Sequence, residues 1–368
     1  MFPLPTPARS RPRRWYVVAL LVAVLAAGCG SSKASTPTAD TKAGSSGTLA
    51  MSSDPVTVRL GYFPNITHAP ALVGVQEGLF KAALPANVTL ETKTFNAGPD
   101  EVQAIFSDAL DIAYIGPNPT INAYQKSNGD AVRIVAGSTS GGAALVVKPD
   151  INSAQDLKGK TVASPQLGNT QDVALRSWLK GQGLSTDTSG GGDVSIKPQA
   201  SADTLTSFQA GDIAGAWVPE PWATRLVQEG GGKVLVDEKT LWPQGQFVTT
   251  QIVVSTKFLN AHPDVVQAIL AGHLAALAAI EADPTGSQQA ANDAIQAATG
   301  KALSEKVVAV SWNNLTFTYD PISSSLSKVA SDAEAAGLLK PVNLDGIYSL
   351  DLLNNLLVAQ GKPTVSTS

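Results

Sequence analysis

The sequence predicts an α/β protein of two lobes, each built on a mainly parallel sheet, with two crossover segments joining them. Three observations carry this. From residue 56 to residue 236, short β-type runs alternate with helical stretches, the pattern of repeated βαβ units. The alternation breaks at residues 143–147 and then restarts. There is also an internal echo: FSDALDIA at 106–113 and FQAGDIA at 208–214 each follow a helical stretch and lead into a β run.

Taken in order, VTVRLGY at 56–62 alternates β-branched and aliphatic residues and reads as a strand. A helix follows over 69–80, closed by Gly78, then a strand at 88–95 and a helix at 100–110. A strand at 112–115, a helix at 120–126 and a strand at 132–136 complete the first run. Residues 143–147 (AALVV) leave that unit. The second run is a short helix near 153–157, strand 161–163, helix 171–180, strand 194–197, helix 202–209, strand 214–217, helix 222–229 and strand 233–236. A Gly/Gln-rich turn at 244–246 precedes a further β run at 248–254. From residue 257 the pattern is mostly helical, with Ala-rich stretches at 265–281 and 288–298. Lobe 1 is therefore expected to be discontinuous, at 56–142 and 249–368, with lobe 2 at 143–248.

Before these units lies a different kind of sequence. Four arginines precede an apolar run from Trp15 to Ala27, and Leu-Ala-Ala-Gly-Cys ends it at Cys29. A basic start, a short apolar stretch and small residues before a cut predict an export signal over residues 1–29. The run is shorter than the roughly 20 residues a bilayer requires. A cysteine at the cut resembles the bacterial lipoprotein signal, in which that residue is lipidated. Residues 30–54 are small and polar without apolar periodicity, as expected of a flexible tether.

Composition excludes several function classes. Hydrophobic residues make up 43% and charged residues 15%, so the chain has large buried faces. The net charge is −4 and no Lys/Arg cluster occurs beyond the first segment, which argues against nucleic acid. Cys29 is the single cysteine, leaving no thiol nucleophile or disulfide for the folded part. Three scattered histidines without acidic neighbours at ligand spacing argue against a metal site, and no cofactor motif is present.

In open parallel sheets, ligands sit beyond the carboxyl ends of strands, where loops enter helix N-termini. Candidate loops are 63–68 with Asn65 and His68, 96–99 with Ala97 and Gly98, 116–120 with Gly116, Pro117 and Asn118, and 138–142 with Ser138, Thr139 and Ser140. The second lobe offers 166–170 with Gly168, Asn169 and Thr170, followed by Gln171. Such loops present backbone N–H groups, hydroxyls and amides, and with a helix dipole behind them they favour an anion. Each loop singly is also explained by ordinary capping. Trp217, Glu220 and Trp222 form the most distinctive string of the second lobe. The tryptophans either wall a ligand or fill the core, and Glu220 either meets an amine or holds a hinge.

Five stretches in this order resemble the substrate-binding lipoproteins of bacterial ATP-driven importers for nitrate, taurine and aliphatic sulfonates. They are Leu60-Gly-Tyr with His68-Ala-Pro and Glu77-Gly-Leu-Phe; Phe95-Asn-Ala-Gly-Pro; Asp111-Ile-Ala with Gly116; Asp156-Leu-Lys-Gly-Lys; and Glu220-Pro-Trp. The resemblance implies a two-lobe, periplasmic-binding-protein-like fold that closes on a ligand. It implies contacts from Asn65 and His68, Ala97 and Gly98, Gly116 to Asn118, Ser138 to Ser140, Gly168 to Gln171, and Glu220 and Trp222. It further implies a binding role rather than an enzyme, without cofactor, and a small anionic or zwitterionic ligand, with a sulfonate or taurine favoured over nitrate, bicarbonate, a phosphonate or a thiamine precursor. Its partner would be a membrane permease, and the protein would be a lipid-anchored, extracytoplasmic monomer. The chain departs from the family pattern at Asp108, where a glycine is common, at Ala214, near which an aspartate is usual, and at Pro219, where an aromatic is frequent.

Overall fold

The computed structural model describes residues 54–367; the expected signal with Cys29, and the tether up to residue 53, lie outside them. Among the described residues, eleven strands form two sheets. The first contains β1 (Val56–Tyr62), β2 (Val88–Thr94), β3 (Ile112–Ile115), β4 (Val132–Gly141), β10 (Val248–Ser255) and β11 (Leu315–Phe317), in the order β11-β4-β10-β3-β1-β2. The second contains β5 (Ala143–Val147), β6 (Thr161–Ser164), β7 (Ser195–Pro198), β8 (Gly215–Pro219) and β9 (Lys233–Asp237), in the order β7-β6-β8-β5-β9.

Both sheets are mixed. β1 pairs in parallel with β2 and β3, and β6 with β7 and β8. The strands that carry the chain between sheets run antiparallel to their neighbours: β10 against β3 and β4, and β5 against β8 and β9. Parallel pairing requires a helical return to the same sheet end. Here β4 passes straight into β5 through Gly141 and Gly142, both at positive φ, so no such return occurs.

Each sheet is covered on both faces. In β1, Val58, Leu60 and Tyr62 point into one core with Ile112, Tyr114, Ile252 and Val254, which is closed by Val266, Ile269 and Leu270 of the C-terminal region. Ala113, Ile115, Ile134 and Val253 enter the opposite core with Val102, Ile105, Leu326 and Val329. The alternation along β3 and β10 matches the period of two that a strand imposes. Two smaller cores flank the second sheet, one around Trp217 and Leu175, the other around Phe208 and Val218. Helix Pro263–Ala282 is long and apolar enough to cross a membrane, yet Val265, Val266, Ile269, Leu270 and Leu274 are all buried in the core.

Helix starts lie earlier than the apolar pattern indicates. The helix expected from residue 100 is Gly98–Phe106, and that expected from residue 120 is Pro117–Lys126. Both first turns contain proline, which lacks only an N–H that the first turn leaves unpaired anyway. The stretch 69–80 is split into Ala69–Gln76 and Leu79–Ala83 at Gly78, whose φ is +71°. Asp108 adopts φ +54° just after the helix Gly98–Phe106, and Gly211 adopts φ +85° just after the helix Ser201–Ala210. The C-terminal region adds helices Glu305–Asn313, Ser323–Ala335 and Asp351–Ala359, and the short strand β11 against β4.

Candidate functional site

Between the sheets lies a small cavity of about 40 Å³. By the yardstick of about 10–15 Å³ per water, it holds a group of a few heavy atoms. Loops after β1, β2 and β3 meet there with the loops after β6 and β7 and with the return strand β10. Five helix starts line it: Ala69–Gln76 through its cap His68, Gly98–Phe106 through Ala97 and Gly98, Pro117–Lys126 through Gly116, Thr170–Gly181 through Asn169, Thr170 and Gln171, and Ser201–Ala210 through Ser201. Unpaired N–H groups at a helix start and the aligned peptide dipoles favour negative charge at such a point.

Among the residues lining the cavity, none carries a formal charge. The polar groups are hydroxyls of Thr67, Thr170, Ser201, Thr249 and Thr250, amides of Asn65, Asn96, Asn169 and Gln171, and the imidazole of His68. His68 is fully buried, and the loss of water pushes its pKa down to about 3, so the ring is neutral. Its Nδ1 accepts the Phe63 N–H at 3.2 Å, which places the proton on Nε2, and the Phe63 ring stacks on it at 4.4 Å. Asn65 is oriented in a similar way. Its Oδ1 accepts the indole N–H of Trp222 at 3.2 Å across the lobe junction, leaving its NH₂ as the free end. His68 and Asn65 are thus presented as donors, as an anion requires.

The lobes are closed around this space. An ideal Cβ on Gly116 would stand 2.6 Å from Thr170 Oγ1 of the other lobe, so any larger residue here would force the Thr170 hydroxyl to turn aside. Lys180 donates to the Ala335 carbonyl at 3.2 Å. Glu220 makes the strongest junction. Its carboxylate accepts from Thr224 N (3.1 Å) and Thr224 Oγ1 (2.9 Å) in its own lobe, and from Ser311 Oγ (3.1 Å) and Asn314 Nδ2 (2.7 Å) in the other.

Of the residues expected at the site, the structure brings together Asn65, His68, Ala97, Gly98, Gly116, Asn169, Thr170 and Gln171. The others lie elsewhere. Trp217 is fully buried in the second lobe's core and donates to Glu238 at 2.7 Å, so it walls no ligand. Glu220 is buried at the lobe junction with four donors already bound, so it is a hinge contact and not an amine receptor. Ser138, Thr139 and Ser140 belong to the outgoing strand β4, where Ser140 Oγ accepts the Phe247 N–H; the return strand supplies Thr249 and Thr250 instead. Pro117 and Asn118 turn away into the helix packing, with Asn118 donating to the Val329 carbonyl, and Gly168 N donates to Asp172. Trp222 faces an adjoining groove of about 670 Å³ that shares Asn65, Asn96 and Ser201 with the cavity. Thr67, Ser201, Thr249 and Thr250 were not expected. The one signal for the last two is the polar triplet Thr249-Thr250-Gln251 inside the β run 248–254.

The family model of the NMT1-like family matches residues 52–297. The chain belongs to the NMT1-like family. It is 30% identical over 220 residues to the taurine-binding periplasmic protein of Escherichia coli, covering 60% of this chain. The chain spans 65% of that relative's length and 49% of that of a Brucella abortus binding protein it also matches. Its fold is shared with the alkanesulfonate-binding protein SsuA of Xanthomonas axonopodis pv. citri bound to MOPS, at TM-score 0.66 and 21% identity, covering 79% of this chain and 96% of that one. It is also shared with the periplasmic nitrate-binding protein NrtA of Synechocystis, at TM-score 0.72 and 16% identity, covering 85% and 91%. This NMT1-like chain therefore has the two-lobe, periplasmic-binding-protein-like fold, and its named relatives are binding proteins.

Proposed function

We propose that this protein is the extracytoplasmic solute-binding component of an ATP-driven importer, capturing a small oxyanion by lobe closure and handing it to a membrane permease. One observation carries the reading: a charge-free cavity between the lobes at which several helix N-termini and two oriented side-chain donors converge. Neutral donors suit an anion that must be released again, since no buried ion pair has to be broken. Closure is a shift toward the state that the ligand binds better. A sulfonate or taurine is the favoured ligand, in line with the taurine-binding relative and the sulfonate-binding neighbour. The neutral His68, with Nδ1 occupied, is no general base, which supports binding over catalysis. Lipidation at Cys29 would tether the monomer to the outer face of the cell membrane.

A thermal-shift screen of the chain from Ser53, against alkyl sulfonates, taurine, nitrate, sulfate, bicarbonate and phosphonates, tests the reading. A ligand at about 100 times its dissociation constant adds roughly 2.7 kcal/mol, which is readily visible. A shift with a sulfonate is the expected result; no shift with any of these anions removes the small-oxyanion reading.

A further inference from the structure

We propose that a second cavity, on the hinge side of the lobe junction, binds a small organic cation: an ammonium group on a short apolar body. This cavity measures about 180 Å³ and shares no lining residue with the cavity of about 40 Å³ described above. It opens beside Gly142 and Ala143, where β4 passes into β5. Helix geometry separates it from the Trp222 groove. Trp222 and Arg225 lie on one face of the helix Trp222–Gln228, and Ala223, Thr224 and Val227 lie on the opposite face, in the wall of this cavity.

Two features define the occupant. The first is the apolar wall. Ala144, Val227 and Val234 of the second lobe face it together with Val310 of the first. Val234 is 50% exposed and Val310 39%, so large apolar surface is left uncovered on walls from both lobes. A hydrocarbon body gains from covering it and a hydrated inorganic ion does not. The second feature is charge. The charged side chains lining the cavity are both carboxylates, Glu220 and Asp237. Asp237 meets Lys239 at 3.1 Å at the surface. Glu220 is buried, its four donors are all neutral, and among the described residues it forms no ion pair. Its hydrogen-bonding capacity is filled but its charge is not balanced. Water-poor walls weaken the screening of that charge, which favours a cation in the cavity. With walls drawn from both lobes, the occupant also weights the closed form.

Ligand-observed magnetic resonance titrations with butylammonium, 1-butanol and butanoate test this, since the three share a body and differ in the charge of the head. Butylammonium should bind about tenfold more tightly than 1-butanol, and butanoate more weakly than either. Val310→Trp, at a half-exposed position, should fill the cavity and remove butylammonium binding, and Asp237→Asn should weaken it. Val234→Trp fills the cavity from the other lobe, so the test survives if one variant does not fold. Equal binding of butylammonium and 1-butanol would overturn the cation assignment. An absence of butylammonium binding, or binding unchanged in both tryptophan variants, would overturn the site. Each of these outcomes leaves oxyanion capture at the other cavity intact.

Discussion

Replacing Glu220 by alanine should open the lobes without touching the ligand. Of its four hydrogen bonds, those from Ser311 Oγ (3.1 Å) and Asn314 Nδ2 (2.7 Å) cross the junction and exist only when the lobes are together. Hydrogen bonds to an ionised group contribute about 1.5–3 kcal/mol each. Two of them give about 3–6 kcal/mol, reduced because water solvates all partners in the open form. A net loss of about 2–4 kcal/mol from closure corresponds to roughly 30- to 1,000-fold in the closed-to-open ratio. Glu220→Gln is the graded control: the Asn314 amide and the Thr224 hydroxyl can turn to match a glutamine, so most of the closure should return. The assays are small-angle scattering of the unliganded protein, where the radius of gyration should rise, and titration with taurine and propanesulfonate, whose affinities should fall by the same factor. If the alanine variant loses taurine alone, with the radius and the propanesulfonate affinity unchanged, then the carboxylate faces the ligand and the argument fails.

Other outcomes follow from the same contacts. Gly116→Ala brings a Cβ within 2.6 Å of Thr170 Oγ1, so ligand affinity should drop at least tenfold in titration while the melting temperature of the unliganded protein changes little. Burial raises the Glu238 pKa to about 7 from an ordinary 4.5, against the indole of Trp217. The folded state then holds a proton between pH 4.5 and 7 that the unfolded chain gives up, and stability from this group is lost as pH rises through that window. Glu238→Gln, which cannot ionise, should therefore raise the melting temperature at pH 8 relative to the parent, with the difference gone near pH 4.5. His68 and His273 have the opposite sign: burial lowers both to about 3, so below pH 6.5 the unfolded chain takes up protons that the folded state refuses. Urea midpoints should fall as pH drops from 6.5 toward 4, and His273→Gln should flatten that slope.

The strands of both lobes were legible because each buried run carries its own period, as in β1, where buried Val56, Val58 and Leu60 alternate with exposed Thr57 and half-exposed Arg59. The head of the site was legible for a related reason: loops rich in Asn, Thr and Gly stand at helix starts wherever the chain lies. Direction within the sheets was less legible. An apolar pentapeptide such as 143–147 reads the same whether its neighbours run with it or against it. Trp217 and Trp222 illustrate the remaining limit. They are five residues apart and chemically identical, yet one ends in the core and the other in the groove, because Trp217 lies within a buried strand and Trp222 opens the helix that follows the Pro219–Pro221 turn. Thr249 and Thr250 reach the cavity only through pairing with strands more than a hundred residues earlier in the chain, a relation that no local pattern encodes.

The strand order also has a consequence for how the polypeptide matures. β4 is flanked by β10 and β11, both made long after it, whereas every strand of the second sheet lies within 143–237. A chain delivered from its N-terminus therefore completes the inserted lobe first, while β4 waits with open edges until residue 248 and beyond arrive. Unpaired strand edges invite association between chains. A protein built this way depends on holding its early half apart from its neighbours until the last third has been made.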